Sequence, residues 1–240
     1  MSATQPAAPE LLTALRALRA RARAHSDLLA EAVARMEDLG FEVARLPDQH
    51  AVVSRVLGIV PEGAEVVYQP CAVGRAAGVD DALRAGGRRV IALPADVDPS
   101  QPVAATGNGS WRDQLLAAQF GITGANAVVA ETGTLALAED LGFGRAASNI
   151  PPVHIALVTA DHIVENLLDA AEVARGYAAL HLHKPVPRYL SLITGPSKTA
   201  DIGLNLVRGM HGPKAVHVLI WERPQADALD DESLRAWLLA

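Results

Sequence analysis

The chain has 240 residues, half of them hydrophobic and 20% charged, with a formal net charge of −6; that is enough apolar material for one large α/β domain or two small ones. Scattered basic residues and only 4% aromatics argue against nucleic acid as a partner, since there is neither a basic patch nor a stacking platform. A single cysteine, Cys71, excludes an internal disulfide and an iron–sulfur cluster ligated by this chain alone. The lack of an apolar run near the roughly 20 residues of a membrane span, and of a basic-then-apolar leader, leads us to expect a cytoplasmic protein.

After a Pro/Ala-rich start, apolar residues at helical spacing from Leu11 to Met36 predict one long helix or two, stopping at Gly40. The arginines of this stretch read as a solvated face. From Phe41 the pattern alternates: strand Phe41 to Leu46, helix Gln49 to Leu57, strand Ala64 to Tyr68, helix Ala76 to Ala85, strand Arg88 to Leu93. That is the rhythm of β-α-β units. Pro94 to Ser110 reads as a long loop and Trp111 to Gln119 as a helix.

The second half predicts strands at Ala125 to Ala130, Thr134 to Ala138, Val153 to Thr159, Arg188 to Thr194 and Ala215 to Trp221, with helices at Asp161 to Tyr177 and Thr199 to Arg208. Glu131 to Thr134 is short enough for a hairpin or a sharp corner, while the last three strands with their intervening helices suggest parallel pairing. The expected fold is α/β: a mixed, mostly parallel sheet flanked by helices. We divide it into a helical N-terminal arm (residues 1–40), an α/β domain (41–224) and a tail (225–240) whose Leu234, Trp237 and Leu238 suit a short docking helix.

Two polar turns follow apolar runs, and in an open α/β sheet the crevice at the carboxyl ends of the strands is where ligands lie. The first holds Gly124, Asn126, Glu131, Thr132, Gly133 and Thr134. A carboxylate desolvated at a strand end suits general acid/base or nucleophilic work, and the threonines and Gly133 could donate to an oxyanion. The second holds Gly195, Ser197, Lys198, Thr199 and Asp201. Ser197 or Thr199 would cap the predicted helix, whose amides together with Lys198 would hold a carboxylate or phosphate; the alternative is ordinary capping with a surface Lys198–Asp201 pair. It is not a Walker A loop. His211, in a Gly- and Pro-flanked turn, is a candidate base or a turn residue. His181 and His183 would share a face of a strand, but nothing nearby supplies a third ligand, so no metal is expected. His154, at the start of an apolar strand, suits a structural or a functional role equally, and Cys71 has no evident activator in the sequence.

The segments Gly121-Ile-Thr-Gly-Ala-Asn126, Ala130-Glu-Thr-Gly-Thr-Leu135, Ile150-Pro-Pro-Val-His-Ile155, Thr194-Gly-Pro-Ser-Lys-Thr-Ala-Asp-Ile202 and Gly209-Met-His-Gly-Pro213 resemble the LUD domain family, and within it the lactate-utilisation C branch. The resemblance runs from about Gly40 to Trp221 and implies a fold related to the NagB/RpiA/CoA-transferase superfamily. It also implies a place beside iron–sulfur partner proteins in the oxidation of L-lactate to pyruvate, with no cluster in this chain. It carries no catalytic residue across, and Gly203 stands where an acidic residue is expected. The readings are therefore a lactate-system component that binds a small anion; a stand-alone enzyme on an acyl thioester or phosphorylated sugar, with Glu131 as nucleophile or base; and a module that senses a metabolite.

Overall fold

Apolar runs too short for helices alternate with helix-length segments, and in the computed structural model of the chain they collect into a parallel sheet. The structure describes residues 9–25, 27–93, 110–200, 206–222 and 231–238. Two helices open it, α1 (Pro9–Ala24) and α2 (Leu28–Leu39), the latter ended by Gly40 in the left-handed conformation. β1 (Glu42–Leu46), α3 (Gln49–Ile59) and β2 (Glu65–Tyr68) follow. The helix predicted at Ala76 to Ala85 is two, α4 (Ala72–Ala77) and α5 (Val79–Ala85), broken at Gly78. Then come β3 (Arg89–Ala92), α6 (Trp111–Ala117), β4 (Phe120–Gly124), β5 (Ala127–Val129), β6 (Thr134–Glu139), α7 (Phe143–Asn149) and β7 (Val153–Thr159).

Four expectations are corrected beyond this point. Asp161 to Tyr177 is not one helix: a 3-10 turn (Ala160–His162) and the short β8 (Ile163–Val164) precede α8 (Leu167–Tyr177), which starts where the Asn166 side chain accepts from the Asp169 N–H. A π-helical turn (Ala178–Leu182) extends α8, so His181 and His183 do not lie on a strand. β9 (Tyr189–Ile193) belongs to a second sheet, where it runs antiparallel to β6. The described ends of the predicted Thr199 to Arg208 helix are strands, with residues 201–205 outside the described residues. Lys198–Ala200 (β10) and Leu206–Arg208 (β11) form an antiparallel pair, because Lys198, Thr199 and Ala200 find cross-strand partners in Arg208, Val207 and Leu206. β12 (Ala215–Trp221) and α9 (Asp231–Leu238) complete the described chain.

The larger sheet has the order β1-β12-β7-β4-β2-β3, every neighbouring pair parallel. The smaller has the order β8-β5-β6-β9 and contains the β5–β6 hairpin. One face of the parallel sheet packs on α3, α4 and α5 through residues such as Ile122, Ile155 and Leu219. Its other face, through Ala156, Val158 and Val218, meets α2 and the hairpin. α1, α8 and α9 close the far face of the small sheet around Leu15, Val173, Leu234 and Trp237. No described helix is long and apolar enough to cross a membrane.

Candidate functional site

The turn after β9 is set by a close approach. Gly195 has φ +123°, and a Cβ there would stand 2.9 Å from the Leu39 carbonyl oxygen, so the turn rests directly on the end of α2. Ser197 ties it to the segment before β12: its N–H donates to the Pro213 carbonyl (2.9 Å), its carbonyl accepts from the Gly209 N–H (3.0 Å), and its hydroxyl accepts from the His211 N–H (3.2 Å). Between these turns lies a cleft of about 490 Å³, floored by Ser148 and Asn149 from the end of α7 and walled by Leu39, the Leu192 to Thr199 stretch and the His211 to Pro213 turn. Lys198 and His211 are the only ionisable side chains among its described lining residues. Both are exposed, and the Lys198 ammonium donates to the Leu39 carbonyl.

Leu39, Asn149 and Pro213 precede β1, β7 and β12, so the cleft lies at the amino edge of the parallel sheet. The expected carboxyl-end crevice is thereby corrected for this turn, because β9, which delivers it, runs in the other sheet. With β10 in place of a helix start, the helix ends that reach the cleft are the carboxyl ends of α2 and α7, and its positive charge comes from Lys198. Thr199 lines it, and Asp201 lies outside the described residues.

The two polar turns adjoin in backbone, but Glu131 and Lys198 open into different hollows. Leu135 pairs with Ile193, which places Gly133 and Gly195 at the same sheet end, and a Gly133 Cβ would meet Arg35 and Leu39 of α2. Glu131, however, opens beside the start of α2, in a separate hollow of about 340 Å³ lined with His25, Glu31, Glu165 and Asn166. From Glu31 to Leu39 is eight residues, about 12 Å of helix, so α2 keeps the Glu131 carboxylate away from Lys198. Glu131 is exposed and its N–H donates to the Glu165 carbonyl (3.1 Å); the desolvation expected of it is absent.

The other members of the first turn serve the framework. Thr132 and the buried Thr134 share a hydroxyl–hydroxyl bond of 2.8 Å. Asn126 is buried, accepting from the Ala138 N–H (2.6 Å) and donating to the Leu238 carbonyl (3.2 Å), which pins α9. Gly124 ends β4 at the opposite, carboxyl edge. Cys71 is buried; its sulfur accepts from the Gly74 N–H (3.3 Å), and burial pushes its thiol up to about 11, so it is a protonated helix cap and not a nucleophile. His181 Nε2 donates to the Arg235 carbonyl (2.9 Å); a carbonyl can only accept, so this nitrogen carries a proton.

A buried polar group escaped the sequence reading. At the carboxyl end of β7, Thr159, Asp161 and His162 meet Arg19 of α1 and Trp237 of α9, and each of the five is less than 10% exposed. The signal was the one used elsewhere, polar residues following an apolar strand, but Asp161 and His162 were absorbed into a predicted helix.

The fold and cleft define a class: an α/β protein with a wholly parallel main sheet, a hairpin-bearing side sheet and a cationic, solvent-open cleft between them. Residues 29–221 match the LUD domain, and the chain belongs to that family. Lactate utilization protein C of Anoxybacillus flavithermus is 38% identical over 116 residues, 47% of this chain and 50% of that protein. Its namesake in Bacillus subtilis is 38% identical over 107 residues, 44% of each chain. The match thus spans about half the length of these curated relatives. A DUF162 family protein from Deinococcus radiodurans shares the fold, with a TM-score of 0.50 at 20% identity over 82% of this chain and 97% of that one.

Proposed function

We propose that this protein acts in lactate utilisation, as its relatives are named for doing, and that the Lys198 cleft is where it holds a small anion, a carboxylate or a phosphate. The observation that supports this most is the charge of the lining: in a chain of net charge −6, a lysine and a histidine face the cleft with no carboxylate among its described residues. An anion entering it replaces the Leu39 carbonyl as the acceptor of the Lys198 ammonium and gains the hydroxyls of Ser197 and Thr199 as donors. With one cysteine, buried and capping a helix, the chain holds no iron–sulfur cluster of its own, and any electrons from lactate pass to partner proteins that do. The acyl-transfer reading loses its support here, because Glu131 opens into a different hollow from the anion-holding lysine.

Thermal unfolding in L-lactate, pyruvate and phosphate tests the cleft. A ligand at 100 times its Kd stabilises the native chain by about 2.7 kcal/mol, a rise in Tm of roughly 5–10 °C for a chain of this size. Lys198→Ala is expected to keep its own Tm, because the side chain is exposed, and to lose the ligand-induced rise. An equal rise in both proteins would place the binding elsewhere.

A further inference from the structure

The end of α7 that floors the Lys198 cleft fixes one side chain by its hydrogen bonds. Asn149 Nδ2 donates to the Arg145 carbonyl (2.8 Å) and to the Ser148 hydroxyl (3.1 Å). A carbonyl can only accept, so the amide nitrogen must face Arg145 and the amide oxygen must take the other side. That oxygen, Asn149 Oδ1, looks toward the His211 to Pro213 turn. A Cβ on Gly212 would stand 3.7 Å from it, 3.9 Å from Ser197 Oγ and 3.4 Å from Ser197 Cβ. Asn149, Ser197 and Gly212 all line the cleft, so the side chain that Gly212 lacks leaves a gap bordered by the Asn149 and Ser197 oxygens.

The two oxygens differ in what they offer. Asn149 Oδ1 can only accept, and no described residue donates to it. Ser197 Oγ already accepts from the His211 N–H (3.2 Å), while its own hydrogen goes to no described residue and is free to donate into the gap. A ligand hydroxyl satisfies both, accepting from Ser197 and donating to Asn149. A ligand carbonyl accepts from Ser197 but turns its lone pairs on Asn149 Oδ1, which then loses solvent without gaining a donor, the costly case for a polar group. Lys198, next to Ser197 in the chain, reaches the Leu39 carbonyl, so the cleft offers a positive charge and, apart from it, a matched donor and acceptor.

We propose, on the reading that Lys198 holds a carboxylate, that Asn149 is the specificity-determining residue of the cleft: its oxygen selects a hydroxy acid over the corresponding oxo acid. The two differ by one oxidation, hydroxyl to carbonyl, and the hydrogen that Asn149 accepts is one that the oxidation removes. The reduced acid is held and its oxidised counterpart is let go. Discrimination of this kind is strong where a site is built around a hydroxyl, because the analogue without it leaves a protein group unpaired.

Calorimetric titration of the whole chain with L-lactate and with pyruvate reads the selection, since the two share a carboxylate and a methyl group and differ only at the carbon between them. The wild type is expected to bind L-lactate about tenfold more tightly than pyruvate. Asn149 is exposed, and Asn149→Ala is expected to keep the affinity for pyruvate while losing most of the preference. Gly212→Ala sets a methyl group in the gap without strain, as Gly212 is not left-handed and the nearest atom stands at 3.4 Å; it is expected to weaken L-lactate about tenfold. Equal wild-type affinities for the two acids, both lost in Lys198→Ala, would leave the anion site standing and overturn the selection. A preference that survives in Asn149→Ala, an equal loss of both acids there, or L-lactate binding unchanged in Gly212→Ala would overturn it too. Neither acid binding the wild type, or both binding Lys198→Ala undiminished, would overturn the anion site and the selection with it.

Discussion

Lowering the pH from 7 to 4.5 is expected to destabilise the wild-type protein by about 2.5 kcal/mol more than His154→Leu, and by about 4 kcal/mol more near pH 3. His154 sits on β7 in the interior of the parallel sheet with no exposed surface. Its Nε2 is bonded to the Thr123 hydroxyl (2.9 Å), and its Nδ1 has no hydrogen-bond partner among the described residues. Burial, and secondarily the charge of His217, pushes the imidazole down to about 3. The sign follows from proton counts. In the unfolded chain the ring takes a proton below about 6.5, and in the fold it refuses one until about 3, so the unfolded state binds more protons throughout that window. Stability is therefore intact above pH 6.5 and is lost as the pH falls through the window.

His154→Leu removes the titrating ring but leaves Thr123 without its partner, at a cost of about 1–3 kcal/mol at pH 7. Urea unfolding of both proteins at pH 7, 5.5 and 4.5 separates the two effects, because the threonine penalty does not vary with pH. The curves converge on acidification if the account holds. His217 adds a slope of the same sign to both, since burial lowers it too, opposed by Glu42 at 3.2 Å. Parallel curves would mean that the unfolded and folded states hold the His154 proton alike.

What the sequence made legible follows from locality. The first half was read nearly strand for strand, because each β-α-β unit places short Val- and Ile-rich runs between helices whose own periodicity is plain. Pairing partners far apart in the chain were not readable. β9 is an apolar run like any parallel strand; only its register with β6, Leu135 against Ile193, puts it in the other sheet. β10 and β11 are three residues each, too short to show a period of two, and their helical appearance sent the anion site to a helix start that does not exist. The Lys198 and His211 turns were rightly singled out as polar, yet their meeting depends on Ser197 bonding across fourteen residues. The buried polar group at the end of β7 draws on Arg19, the 159–162 turn and Trp237, three segments that no local pattern connects.

Gly121→Ala is expected to lose about 3–4 kcal/mol of stability, as overpacking against a backbone that cannot yield. β4 went unread because two glycines in Phe120 to Gly124 dilute its strand signal, and the structure gives the reason for one of them. β4 lies between β7 and β2 in the interior of the sheet, and α7 crosses it at Gly121. A Cβ at this position would stand 1.8 Å from the Ala147 carbonyl oxygen and 2.9 Å from its carbon, with the Pro151 ring at 3.1 Å. Side chains can rotate away from such a clash; the Ala147 carbonyl cannot, so α7 itself must lift. The same helix ends at Ser148 and Asn149, the floor of the cleft, and lifting it changes the shape of the anion site more than 20 residues away in sequence. The variant is thus expected to lower the urea midpoint at unchanged m-value and to weaken any ligand-induced stabilisation that Lys198 mediates. Gly58→Ala supplies the contrast. In α3 a Cβ at Gly58 meets nothing within 4 Å, so the gain in helix propensity is expected to stabilise by about 0.5–1 kcal/mol. A loss below 1 kcal/mol for Gly121→Ala would show that α7 slides freely over β4, and the cleft floor would then be adjustable where we describe it as fixed.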